Sequence, residues 1–374
     1  MPQVKKQNNN INAFLSFLRA GLWERSARQG FVGEVDFGAL FQLAREQSVV
    51  GLLAAGLESV EKSRVPQSVR RDFLQQVLML ESKNRQMNDV VKDLMGTFSK
   101  AGITACLVKG QGIAQCYERP AWRAMGDVDL MLDYDNYEKA KPVLARWAGQ
   151  AGKEGSGKHF EVHPDPFEIE IHGSFYTGLH PDLDARLDVL KEEAFSRKAF
   201  RPWSVDSQIL LMAPEYDVIY VFSHILHHFF QGGIGLRQLC DWCRLLWTFR
   251  SSFDCAALEQ RLRYLSLLSE WKVFGAFAVA YLGMPASAMP LYDARHPYRC
   301  KTRLLLNYIL EVGNFGHNRD VSYYRKYPYL IRKGISLCRK SGDFLRHARL
   351  FPRDSLLFLS HFLRKGTRAV AEGR

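Results

Sequence analysis

The apolar rhythm of this chain changes twice along its length, and the changes predict a small sheet between two helical regions. Over residues 11–95 apolar positions recur with helical spacing: Phe14, Leu15, Leu18 and Leu22 share one stripe, and Leu40, Leu43, Ala44 and Gln47 share another. The pattern predicts a long helix over 68–98, with Phe73, Val77, Leu80 and Met87 close to one face. Gly51, Gly56 and Pro66 punctuate these helices. Residues 1–10 are rich in Asn and Lys without apolar periodicity and are expected to be disordered.

At 101–102 the character shifts. ITACLVKG is a short apolar run ended by Gly, which predicts a buried strand, and GIAQCYE is a helical stretch stopped by Pro120. DVDLML then alternates, with Val128, Leu130 and Leu132 on one side and Asp127, Asp129 and Met131 on the other. A helix is predicted over 137–149 and a Gly/Ser/Lys loop over 149–158. Two strands follow, HFEVH and FEIEIHG, joined by HPDP; in the second, Phe167, Ile169 and Ile171 alternate with Glu168, Glu170 and His172. Beyond residue 183 the helical rhythm returns, with candidate helices around 207–213, 215–229, 236–249, 254–270, 272–282, 301–311 and 354–364. The expected fold class is α+β: a disordered start (1–10), an N-terminal helical region (11–98), a small mixed β-sheet core (99–205) and a C-terminal helical region (206–374).

Composition narrows the class without changing this picture. The chain has 374 residues, 47% hydrophobic and 24% charged, as in an ordinary soluble globular protein. The longest apolar stretch, around 218–230, is short for a membrane span and holds three histidines. The first residues lack an apolar signal core, so a cytoplasmic location is expected. Seven scattered cysteines fit reduced thiols. Cys240 and Cys243 form a lone C-x-x-C in a helical segment and read as buried packing residues rather than half a zinc site. The net charge of +12 is concentrated at one end: residues 321–374 carry thirteen Lys/Arg against three Asp/Glu, a surplus of ten. Such an end can face nucleic acid, anionic lipid or an acidic partner, though its interleaved apolar residues at helical spacing favour a solvated helical face.

Two motifs carry chemistry, VKGQG at 108–112 and GDVDLML at 126–132. Asp-x-Asp on a strand puts both carboxylates on one face, where they repel unless a cation sits between them; Mg²⁺ or Mn²⁺ suits oxygen donors of this kind. Glu170, on the polar side of FEIEIHG, is the natural third carboxylate. His224 and His228 are spaced i, i+4, but HILHH lacks the Glu of a zinc protease helix. No Walker A, G-x-S-x-G or dinucleotide-binding glycine motif is present.

The order strand, Lys-Gly turn, helix, Asp-x-Asp strand and acidic strand resembles the polymerase-β-like nucleotidyltransferase superfamily. Within it the chain resembles an uncharacterised bacterial nucleotidyltransferase family, through Lys109-Gly110, Tyr117, Arg123, Asp127-Val-Asp129-Leu130 and Glu170-Ile-His172, with weaker echoes at His224, Arg237, Asp241 and Gly313–Gly316. The resemblance implies a nucleotidyltransferase core that moves a nucleotidyl group from an NTP to an unidentified acceptor. Asp127, Asp129 and Glu170 would be the metal-binding and catalytic carboxylates, with Lys109, Gly110, Gln111, Gly112, Arg123 and His172 on the nucleotide side. Arg123 would meet the leaving pyrophosphate. Gln111 stands where the superfamily has Ser, which keeps open a non-catalytic nucleotide-binding or regulatory protein of the same fold. The basic end keeps open an RNA-binding or RNA-modifying role.

Overall fold

The computed structural model describes residues 2–25, 35–60, 65–316 and 326–371. Seven strands form one sheet: β1 (Cys106–Val108), β2 (Val128–Met131), β3 (Lys153–Gly155), β4 (His159–Val162), β5 (Ile169–His172), β6 (Phe200–Pro202) and β7 (Leu210–Met212), in the order β3-β4-β5-β2-β1-β7-β6. β2–β5 and β1–β7 pair in parallel and the other neighbours antiparallel, so the sheet is mixed. Four helices precede it: α1 (Pro2–Trp23), α2 (Phe37–Glu46), α3 (Val50–Leu57) and α4 (Gln67–Lys100). Within the sheet region lie α5 (Gly110–Ala114), α6 (Tyr134–Ala148) and α7 (Pro181–Ser196). After it come α8 (Pro214–Gln231), α9 (Leu236–Thr248), α10 (Cys255–Tyr264), α11 (Leu268–Leu282), α12 (Arg299–Val312), α13 (Tyr329–Leu350) and α14 (Pro352–Ala371). The fold is α+β, as expected.

The period-two alternation of the strands divides the interior. Leu107, Val128, Leu130, Ile169 and Ile171 pack with Met87, Val91, Leu94 and Phe98 of α4 and with Tyr137, Ala140 and Leu144 of α6. On the other side Cys106, Val108 and Met131 join a larger core built with α1, α8, α9 and α11. The charged residues of β2 and β5 project from this second face, beside Val108 and Met131, and α8 helps to cover it. The described helices include none long and apolar enough to cross a membrane. The six cysteines whose side chains are described are free, and Cys240 and Cys243 are buried in α9.

Several expectations need correction. Residues 207–213, expected as a helix, turn into β7, whose Leu210 pairs with Cys106. A short apolar run does not distinguish helix from buried strand. The sheet accordingly extends to Met212, past the boundary at 205. β3 lies in the stretch expected as a loop. Residues 2–10, expected to be disordered, continue α1: the buried turns from Ala13 onward nucleate the helix, and Asn10 Oδ1 accepts a hydrogen bond from the Asp36 amide. Residues 254–270 split into α10 and α11 around Ser266, which has a positive φ of 60°. α13 was not among the candidate helices. In the basic end, His347, Leu350, Phe351 and Ser355 are buried, and Arg346 pairs with Glu311 at 2.8 Å, so the hairpin of α13 and α14 docks against α12.

α1 and α3 cross so closely that a Cβ on Gly56 would lie 2.0 Å from Phe17 O, and one on Gly21 1.8 Å from Leu52 O. Gly56→Ala is therefore expected to lower stability by about 1–3 kcal/mol, the usual cost of overpacking. Thermal melting checks this; an unchanged Tm would show that the two helices do not meet this way.

Candidate active site

Sheet register assembles the acidic cluster. Asp129 on β2 is paired with Glu170 on β5 and with Val108 on β1, so two carboxylates from different chain segments project from the same face. Carboxylate oxygens of Asp127, Asp129 and Glu170 lie within 4.8 Å of one another. The expected alternation holds in β5, where Ile169 and Ile171 are buried while Glu170 and His172 keep some exposure.

Positive groups meet this charge. Lys109 follows β1 with φ 51° and ψ −143°, a left-handed conformation that a side chain adopts only at some cost. Gly110 follows with φ 26°, close over Asp127 O. This turn brings Lys109 Nζ to 2.6 Å from Asp129 Oδ1. His172 Nε2 lies 2.8 Å from the same oxygen and 3.4 Å from Glu170 Oε2. His159 Nε2, across the β4–β5 pair, lies 3.2 Å from Glu170 Oε2.

The ionisation of these groups follows from that packing. Repulsion from Asp129, then burial, pushes the Asp127 carboxyl up to about 6 despite the pull of Lys109. Burial alone would raise Glu170, but His159 and His172 beside it hold its carboxyl well below the usual range. Burial opposes charge on Lys109 and on His172 as well; the Asp129 carboxylate outweighs it for Lys109, and Asp129 with Glu170 outweighs it for His172, so both are shifted upward. His224 and His228 on α8 are pushed well below the ordinary range, first by burial and then by nearby positive charge, so both rings are neutral near pH 7.

A cavity of about 730 Å³ opens on this cluster. Lys109, Asp127, Asp129, Glu170 and His172 line one part; His224, His227, His228 and Phe230 of α8 and Phe344 and Phe358 of α13 and α14 line another. His224 and His228 approach Nε2 to Nε2 at 2.8 Å, and Thr177 O accepts from His227 Nδ1. The volume suits a nucleotide-sized ligand.

The structure divides the nucleotide-side residues expected from sequence. Lys109, Gly110 and His172 line the cavity. Gln111 instead points into the packing against α4, donating to Asn88 Oδ1 at 2.5 Å, and a Cβ on Gly112 would press on Leu211 at 3.1 Å. Both therefore serve the fold. Arg123 touches the cavity but is committed: Nε and Nη2 bind both oxygens of Asp241 at 2.8 and 2.7 Å, and Tyr117 Oη donates to Asp241 at 2.7 Å. The resemblance had given Arg123 a phosphate; a bidentate carboxylate already takes its fork. Asp241 thus pairs with Arg123 rather than with Arg237 one helical turn away. Arg237, matched from sequence only as a weaker echo and left out of the expected site residues, donates from Nη1 to Ala124 O and Met125 O, at 3.2 and 2.8 Å, and among the described residues its buried Nε has no acceptor. His159 was also missed, since only strand register places it beside His172.

A family model described as uncharacterised nucleotidyltransferase matches residues 33–283 of the chain. No curated protein and no solved structure matches it.

Two outcomes follow. Because the Asp127 carboxyl holds its proton below about 6, a cation bound there must displace that proton in acid. Mn²⁺ affinity, measured by calorimetry, should fall by roughly tenfold per pH unit below that point; a flat affinity from neutral to acid pH would contradict it. Asp241→Ala strands Arg123 without a counter-charge and should cost about 3–5 kcal/mol of stability in chemical denaturation; a cost within error of zero would show that the pair is not desolvated.

Proposed function

The chain belongs to the uncharacterised nucleotidyltransferase family, and from that premise we propose that it transfers a nucleotidyl group from an NTP to a hydroxyl or phosphate acceptor. In this reading the core is polymerase-β-like. The observation that carries the reading is the meeting of Asp127, Asp129 and Glu170 beside the Lys109 turn, at a cavity of about 730 Å³. A three-carboxylate oxygen set fits Mg²⁺ or Mn²⁺, and the upward shift of Asp127 reports negative charge that the nearby cations leave incompletely balanced. Bound there, such ions would neutralise charge on the transferred phosphoryl and on the leaving oxygen.

The side chains supply positioning. Asp127, at the entry to β2, and Asp129, within it, would hold the donor's cations, and Glu170 would complete the set or receive the proton of the acceptor hydroxyl. His172 holds Asp129 in orientation through its 2.8 Å contact. Lys109 shares its ammonium between Asp129 and the phosphate oxygens, with the Gly110 amide alongside. Arg237, held on the Ala124 and Met125 carbonyls, takes the phosphate role that Arg123 cannot fill. The α8, α13 and α14 side of the cavity excludes water and receives the acceptor.

Incubation with each α-labelled NTP, Mg²⁺ or Mn²⁺ and a cell extract tests the proposal. A labelled acceptor and free pyrophosphate are expected from the wild type, with Asp129→Asn slower by about 10²–10³. Near-wild-type turnover in Asp129→Asn would remove the assigned roles. Metal-dependent NTP binding without transfer to any acceptor would overturn the catalytic reading in favour of a nucleotide-binding one.

A further inference from the structure

The nitrogen donors beside Glu170 are not explained by an oxygen-donor site for Mg²⁺. His159 and His172 are cross-strand partners on β4 and β5, and both ring nitrogens reach the same carboxylate oxygen. The distances to Glu170 Oε2 are 3.2 Å from His159 Nε2 and 3.4 Å from His172 Nε2. A tetrahedral ion with bonds of about 2.0–2.1 Å has ligand–ligand edges of about 3.3–3.4 Å, close to these separations. One ligand atom from each of His159, Glu170 and His172 lies within 4.8 Å of the others.

A second observation points the same way. His159 Nε2 is shielded from solvent, and among the described residues it meets no well-aligned hydrogen-bond acceptor, although Glu170 Oε2 is 3.2 Å away. The two rings are stacked, with centroids 5.0 Å apart and planes 7° from parallel. A shared ion therefore asks them to open towards each other. The His159 and His172 side chains keep 26% and 15% of their exposure, so neither ring is fully packed in.

We propose that His159, Glu170 and His172 form a cation site that takes a divalent transition ion, of the Zn²⁺ or Co²⁺ kind, in preference to Mg²⁺. Two imidazoles and one carboxylate suit such ions and leave a coordination position open, whereas Mg²⁺ prefers oxygen donors. Glu170 is shared with the Asp127 and Asp129 cluster, and an ion here would take His172 Nε2 out of its 2.8 Å contact with Asp129, so it would lie next to any ion held by those aspartates. The site gives the chain a metal preference that a purely acidic cluster lacks.

The test uses the full chain without nucleotide, so its outcome is independent of whether the chain transfers nucleotidyl groups. Co²⁺ is titrated and followed by visible absorption, then displaced with Zn²⁺, and Mg²⁺ binding is measured separately by calorimetry. A visible cobalt spectrum displaced by Zn²⁺ is expected, together with at least about a tenfold loss of Zn²⁺ affinity in His159→Ala, a loss on the scale seen for perturbed metal sites, and unchanged Mg²⁺ binding. His159→Gln serves in its place if the alanine variant does not fold. The nearby group Glu161, His163 and Glu168 also brings ligand atoms within 4.8 Å, so His163→Ala is the control and should behave as wild type. The proposal is overturned if Zn²⁺ binds the His159 variant as it binds wild type, if Zn²⁺ and Mg²⁺ affinities fall together, or if His163→Ala removes the cobalt spectrum. Absence of nitrogen hyperfine coupling in pulsed EPR of the wild type loaded with Cu²⁺ would overturn it as well.

Discussion

Three carboxylates held within a few ångströms repel one another, and the architecture around the cavity answers that repulsion. Asp129 receives Lys109 at 2.6 Å and His172 at 2.8 Å, while Glu170 receives His172 and His159. Asp127 has the least compensation, and its carboxyl is the one pushed upward. Such an arrangement is costly for folding alone, since buried charges give back little of what their desolvation costs. In the proposed reading a multivalent cation offsets that cost.

Elements far apart in sequence keep the cluster in place. The segment entering β2 is gripped by two arginines: Arg123 is locked to Asp241, which also accepts from Tyr117, and Arg237 donates to the carbonyls of residues 124 and 125. Asn84 of α4 adds a third hold through Ala121 O and Arg123 O, at 2.9 and 3.0 Å. Helices before and after the sheet thus position the loop from which Asp127 projects. The matched family region, residues 33–283, takes in both the sheet and these clamping helices. It ends before α13 and α14, whose Phe344 and Phe358 close one side of the cavity.

What was legible in the sequence was local. Period-two alternation gives the facing of Asp127, Asp129 and Glu170 directly, and the long helix over 68–98 appears as α4, Gln67–Lys100. What depended on tertiary pairing was hidden. Arg123 looks like a free cation until Asp241, 118 residues away, takes both ends of its guanidinium. Gln111 occupies a phosphate-binding position by motif, yet its neighbours on α4 claim its amide. His159 acquires meaning only through its register with His172. β7 is too short for any periodicity, and only its pairing with β1 and β6 makes it a strand. The three histidines of α8 stood out as polar residues in an apolar run, which was the one available signal that this helix faces a cavity.

Calorimetry with a non-hydrolysable NTP analogue, in the presence and absence of Mg²⁺ or Mn²⁺, addresses the central claim most directly. Saturable binding that requires the cation, and that disappears in Asp127→Asn and Asp129→Asn while both variants remain folded, is the predicted result. Equal binding without the cation, or in those variants, would contradict the account.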